Sequence, residues 1–114
     1  MKSIDLGGCE SIRKLPGLRT PNLETLILRG CGNLIEVDEW SLYKLKEWSL
    51  YNCKKLQILP SKINLKSLKY LHLGGCERLE KFLHIQPEME CLEILELSNS
   101  GLRNGHQIRN ITKF

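Results

Sequence analysis

The chain has 114 residues, 41% hydrophobic and 26% charged, with a net charge of +4 at neutral pH. That bounds it to one domain of ordinary globular composition and excludes a disordered chain. Its 17 basic and 13 acidic residues are interspersed without a basic run, so nucleic acid is not the expected partner. No apolar stretch approaches the ~20 residues that span a bilayer, and the opening MKSIDLGGCESIRK lacks the apolar core of a secretory signal. The reading is a cytoplasmic protein with no membrane contact.

In chain order, the first apolar frame is Met1, Ile4, Leu6, Cys9, Ile12, Leu15. It recurs at Leu23, Leu26, Leu28, Cys31, Leu34, Val37, at Leu45, Trp48, Leu50, Cys53, Leu56, Leu59, and at Leu68, Leu71, Leu73, Cys76, Leu79, Phe82. A fifth copy opens at Leu92, Leu95 and Leu97, with Ser100 in the cysteine's place. The starts at 1, 23, 45, 68 and 92 give repeats of 22, 22, 23 and 24 residues. Self-similarity at this period is the signature of a leucine-rich repeat. The predicted fold is therefore an α/β solenoid with a parallel β-sheet on its concave face and an irregular or 3₁₀ convex side. Residues 1–102 hold four full repeats and a partial fifth, and residues 103–114 an irregular tail in which Ile108, Ile111 and Phe114 could form a short cap.

Within each repeat the x-L-x-L-x segment alternates with period 2, so one face of each strand is buried. The inward pairs are Ile4 and Leu6, Leu26 and Leu28, Trp48 and Leu50, Leu71 and Leu73, Leu95 and Leu97. Gly7-Gly8, Gly30, Asn52 and Gly74-Gly75 follow the strands and let the chain turn away. Pro16 and Pro60 oppose a helix on the outer arc. Residues 82–90 are its one helical candidate, limited by Pro87. Trp48 stands in a leucine slot, while Trp40 falls on the outer arc, partly exposed. A single repeat cannot bury its own flanks, so neighbouring repeats must stack.

Four of the five cysteines, Cys9, Cys31, Cys53 and Cys76, recur once per repeat at one slot. No C-x-x-C pair suggests zinc, and a disulfide framework does not suit a reducing compartment. The expectation is a structural ladder of buried thiols, each donating weakly to a loop carbonyl. Cys91 lies outside the ladder and is the expected exposed thiol.

The motif L-x-x-L-x-L-x-x-C-x-x-L-x-x-L-P resembles the repeats of plant intracellular immune receptors. The similarity is to the class with an N-terminal Toll/interleukin-receptor domain and a central nucleotide-binding domain. It is carried by Ile4-Asp5-Leu6-Gly7-Gly8-Cys9 with Leu15-Pro16, by Leu26-Ile27-Leu28-Arg29-Gly30-Cys31, by Trp48-Ser49-Leu50-Tyr51-Asn52-Cys53 with Leu59-Pro60, and by Leu71-His72-Leu73-Gly74-Gly75-Cys76. Ser100-Gly101-Leu102 resembles a shorter variant of the same frame. The resemblance implies a protein-recognition module that binds a pathogen effector or a guarded host protein and contributes to autoinhibition. It also implies receptor domains missing here as intramolecular partners. Met1 occupies the first leucine slot, so the chain is read as a fragment or truncated product. The sequence has no G-x-x-x-x-G-K-[ST] phosphate loop.

The alternative is a substrate-receptor fragment of a ubiquitin ligase, whose repeats run longer with helical outer arcs. An enzyme is not expected. His72, His84 and His106 form no nucleophile–base arrangement, and no catalytic residue, cofactor or metal is assigned. The candidate protein-binding residues lie on the outward columns of the middle strands. Tyr51 sits beside Arg29 on one side and Gly74 on the other, where the glycine would leave a notch flanked by Tyr70 and His72. Aromatic and arginine side chains are the usual anchors of interfaces.

Overall fold

The computed structural model describes residues 2–15, 21–38, 43–57, 59, 66–79, 91–96, 98 and 100. The expectations for Pro16, Pro60, Trp40, Leu97, residues 82–90 and the tail 103–114 lie outside these described residues.

Period-2 alternation gives five three-residue strands, β1 (Ser3–Asp5), β3 (Thr25–Ile27), β5 (Glu47–Ser49), β6 (Tyr70–His72) and β7 (Ile94–Glu96), one from each repeat. They form one parallel sheet in the order β1-β3-β5-β6-β7. The register aligns equivalent frame positions throughout: Ile4 with Leu26, Leu26 with Trp48, Trp48 with Leu71, Leu71 with Leu95. Backbone pairing outlasts the formal strands at both ends. Upstream, the Lys46 carbonyl accepts from Lys69 and Tyr70; downstream, Leu28, Leu50 and Leu73 each donate to the next strand at 2.8 Å. The fold is a leucine-rich-repeat solenoid, and no helix among the described residues is long and apolar enough to cross a membrane.

The turns after β1, β3, β5 and β6 use the same backbone device. The residue before each ladder cysteine adopts positive φ: Gly8 (77°), Gly30 (74°), Asn52 (60°) and Gly75 (78°). Three are glycine, and the fourth is asparagine, the side chain that best tolerates the left-handed region.

The described convex residues follow the expected irregular course of turns and bends, and none of them forms a 3₁₀ turn. Along this course β2 (Lys14–Leu15) pairs in parallel with β4 (Glu36–Val37). Arg13 O accepts from Ile35 at 2.8 Å, Leu15 O from Asp38 at 2.9 Å, and Ile35 O from Gln57 at 2.9 Å, so the ladder reaches toward a third repeat. Lys14 closes it from outside, 3.1 Å from Asp38 and 3.9 Å from Glu36. The described outer arc is extended at Lys14–Leu15 and Glu36–Val37, where Leu15 and Val37 turn inward to the core.

The core is a set of stacked columns in which Leu26, Trp48 and Leu71 are wholly inaccessible, as are Leu28, Leu50 and Leu73. Ile4, Leu6, Cys9 and Ile12 of the first repeat pack on it but remain half-buried. Trp48 fits a slot that leucine fills in neighbouring repeats, and its Nε1–H has no hydrogen-bond partner among the described residues. An unmade indole bond of this kind costs about 1–3 kcal/mol, which burial of the largest side chain in the core offsets.

Candidate functional site

The cysteine slot lies just behind the turn glycines. Cys31 Sγ donates to Leu6 O at 3.2 Å, Cys53 to Leu28 O at 3.0 Å and Cys76 to Leu50 O at 3.0 Å. Each bond joins one repeat to the repeat before it. All three thiols are buried, Cys9 is intermediate and Cys91 exposed. Burial pushes the Cys53 thiol up to about 12 and that of Cys76 up to about 11. Cys31 moves in the same direction for the same reason. Such thiols stay protonated at neutral pH, the form in which they donate, and are poor nucleophiles.

On the opposite face of the sheet, a shallow depression of about 210 Å³ is lined by Ile27, Arg29, Glu47, Ser49, Tyr51 and His72. Its floor is Ile27 and Ser49, both buried although they point to the concave side. Its rim is built from longer side chains on three strands. Tyr51 is 45% exposed and is the largest aromatic surface there. His72 Nε2 stands 4.0 Å from Glu47 Oε2. The volume falls below the ~300 Å³ at which small-molecule sites begin and suits one side chain of a partner.

The structure brings together three of the four expected binding residues, Arg29, Tyr51 and His72. Tyr70 is half-buried, paired in register with Glu47, and outside the lining of the depression. The open notch expected at Gly74 is filled. A Cβ at that position would meet the Tyr51 ring at 3.3 Å, so the ring already lies over the glycine. The available space lies instead on the other side of Tyr51, above Ile27 and Ser49. Sequence reasoning missed Ile27, Ser49 and Glu47. The signal was present in the outward column Asp5, Ile27, Ser49, His72, Glu96, where an isoleucine and a serine between charged neighbours leave room.

That same column also finishes the strands. Asp5 Oδ1 accepts from the Gly7 N–H at 2.9 Å, and Glu96 Oε1 from the Ser98 N–H at 2.7 Å. The bonds from Ser98, with a smaller contribution from His72, hold the Glu96 carboxyl below its ordinary range.

A solenoid of this kind, with a stacked thiol ladder behind a parallel concave sheet, defines a leucine-rich-repeat protein. Comparison with known proteins places it further: the chain is homologous to plant disease resistance proteins of the Toll/interleukin-receptor nucleotide-binding leucine-rich-repeat class. It is 35% identical over 102 residues to disease resistance protein RPP4 of Arabidopsis thaliana, covering 87% of this chain and 9% of that protein. It is 40% identical over 97 residues to disease resistance protein RPS6 of the same plant, covering 82% and 9%. To TMV resistance protein N of Nicotiana glutinosa it is 34% identical over 106 residues, covering 90% and 9%. The chain thus spans about a tenth of the length of these relatives. No family model and no solved structure matches it.

Proposed function

We propose that the chain is a non-enzymatic recognition module acting in the cytoplasm, whose concave sheet binds a protein partner, a pathogen effector or a guarded host protein. In a longer receptor the same solenoid would contact the remaining domains and contribute to autoinhibition. The observation that carries this reading is the depression at the centre of the sheet, where Arg29, Tyr51 and His72 from three adjacent repeats converge on a floor of Ile27 and Ser49. The disease-resistance names of the relatives support the immune context.

The test is to measure binding of the chain to a panel of purified effector and host proteins, with Tyr51→Ala beside the wild type. Loss of binding of about thirtyfold or more, with an unchanged melt, supports the site, since central aromatic anchors carry ~2 kcal/mol or more. A partner bound equally well by Tyr51→Ala and Arg29→Ala would place recognition elsewhere.

A further inference from the structure

The depression is electrically lopsided, and that asymmetry points to the chemistry of what enters it. Arg29 lies on the last outward column and Glu47 on the first. They are one strand apart sideways and four frame positions apart lengthwise, so their Cα atoms are separated by about 13 Å along the strand direction at ~3.3 Å per residue. At the Glu47 end the counter-group among the described residues is His72, 4.0 Å away, which carries charge only when protonated and also faces Glu96. The Arg29 end carries none. Among the described residues, no carboxylate oxygen lies within ion-pair distance of its guanidinium. The nearest acidic residue on the neighbouring strand, Asp5, already accepts from the Gly7 N–H at 2.9 Å. Four lysines elsewhere on the described surface are engaged, Lys14 with Asp38, Lys46 with Glu24, Lys44 with Asn22 and Lys55 with Asn33, and none of them lines the depression.

From this we infer that the depression takes an aspartate or glutamate side chain of the partner, seated on Arg29 and walled by Tyr51. This deepens the reading under Proposed function and rests on it. The guanidinium fork matches a carboxylate with two parallel N–H···O bonds. The Tyr51 ring, braced over Gly74 at 3.3 Å from where a Cβ would stand, forms one wall of the depression. Ser49, on the floor, supplies a further hydroxyl. The volume of about 210 Å³ corresponds to roughly seven waters at ~30 Å³ each, enough for one carboxylate side chain and its stem.

A displayed library of random peptides, selected on the folded 114-residue chain, tests this without a known partner. The expected result is enrichment of Asp or Glu at one position of the bound peptides. Arg29→Glu should switch that preference to Lys or Arg, a readout that unfolding cannot mimic. Arg29→Lys should keep the acidic preference with binding on the order of tenfold weaker, because a point charge replaces the fork. Bound peptides with no acidic preference, or one that Arg29→Glu leaves unchanged, overturn the inference while recognition by the concave face still stands. Basic residues selected by the wild type overturn it too, by assigning the depression to Glu47. Absence of any bound peptide, or binding indifferent to Arg29→Glu and Tyr51→Ala alike, overturns both readings.

Discussion

Leu28 and Leu50 each present one carbonyl oxygen to two donors. Leu28 O accepts the Cys31 N–H at 3.2 Å and the Cys53 thiol at 3.0 Å; Leu50 O accepts the Cys53 N–H at 3.1 Å and the Cys76 thiol at 3.0 Å. Both lone pairs are thus used in a place water does not reach, which is why a small donor recurs in that slot. This has a pH consequence. Folding raises the thiol of Cys53 to about 12 from an ordinary 9.0, so the unfolded chain loses this proton first. The stabilisation is complete below pH 9 and declines as pH rises toward the folded value, by about 1.4 kcal/mol per pH unit for each such thiol. Urea titrations between about pH 8 and 11 should show Cys53→Ala less stable at the lower pH, yet with a slope shallower by one thiol's share. Tyrosine and lysine ionise in the same range but equally in both proteins. Parallel slopes would contradict buried, protonated Cys53.

At the scale of the element, four strands of the sheet lead into a turn with a left-handed residue three positions on, and the space around it decides what may stand there. Gly75→Ala should destabilise by about 1–2 kcal/mol through its positive φ. It should cost somewhat more through Asn52, whose Cα would lie 3.2 Å from the new Cβ. Gly32→Ala is the control: nothing lies within 4 Å and its φ is not positive, so thermal melts should show it neutral or slightly stabilised. The strands, their order and their register were legible from the frame, because period-2 alternation and a 22–24-residue repeat leave only one way to align Leu26, Trp48 and Leu71. The β2–β4 ladder was not, since two residues such as Lys14 and Leu15 are too few to display a period. In the candidate site, the columns holding Arg29, Tyr51 and His72 could be read. The direction of the Tyr51 ring could not, because it depends on a rotamer choice over Gly74 that spacing alone does not specify.

For the whole molecule, stability should vary along the solenoid axis. The bonds Leu6 to Ile27, Leu28 to Ser49, Leu50 to His72 and Leu73 to Glu96 are all 2.8 Å. Differences in their opening therefore reflect the coils they join, not the bonds. The first coil is the weakest of these: Ile4, Leu6, Cys9 and Ile12 are half-buried where Leu26, Leu28, Cys31 and Leu34 are wholly inaccessible. Native-state hydrogen exchange should find the Leu6 amide opening well before those of Leu28 and Leu50, as expected when each repeat is held by its neighbours. Identical protection at all of them would mean the coils open as one unit.

The thiol bonds also act as a gauge of chain length. Leu23 to Cys31, Leu45 to Cys53 and Leu68 to Cys76 are each eight residues, and every difference in repeat length falls after the cysteine. Cys31 to Leu45 takes 14 residues, Cys53 to Leu68 takes 15 and Cys76 to Leu92 takes 16. Slack is thus confined to the outer arc, and the phase of the winding is reset once per coil at the sulfur. A glycine inserted between Leu59 and Leu68 should lower the melting midpoint only slightly, since one more loop residue costs a few tenths of a kcal/mol at about the logarithmic rate of loop closure. The same glycine between Leu50 and Cys53 would carry the thiol past the Leu28 carbonyl and displace the left-handed turn. The cooperative melt should then be lost. A lineage of such coils can lengthen and vary on its outside while the inner sheet, and any surface it presents, stays in step.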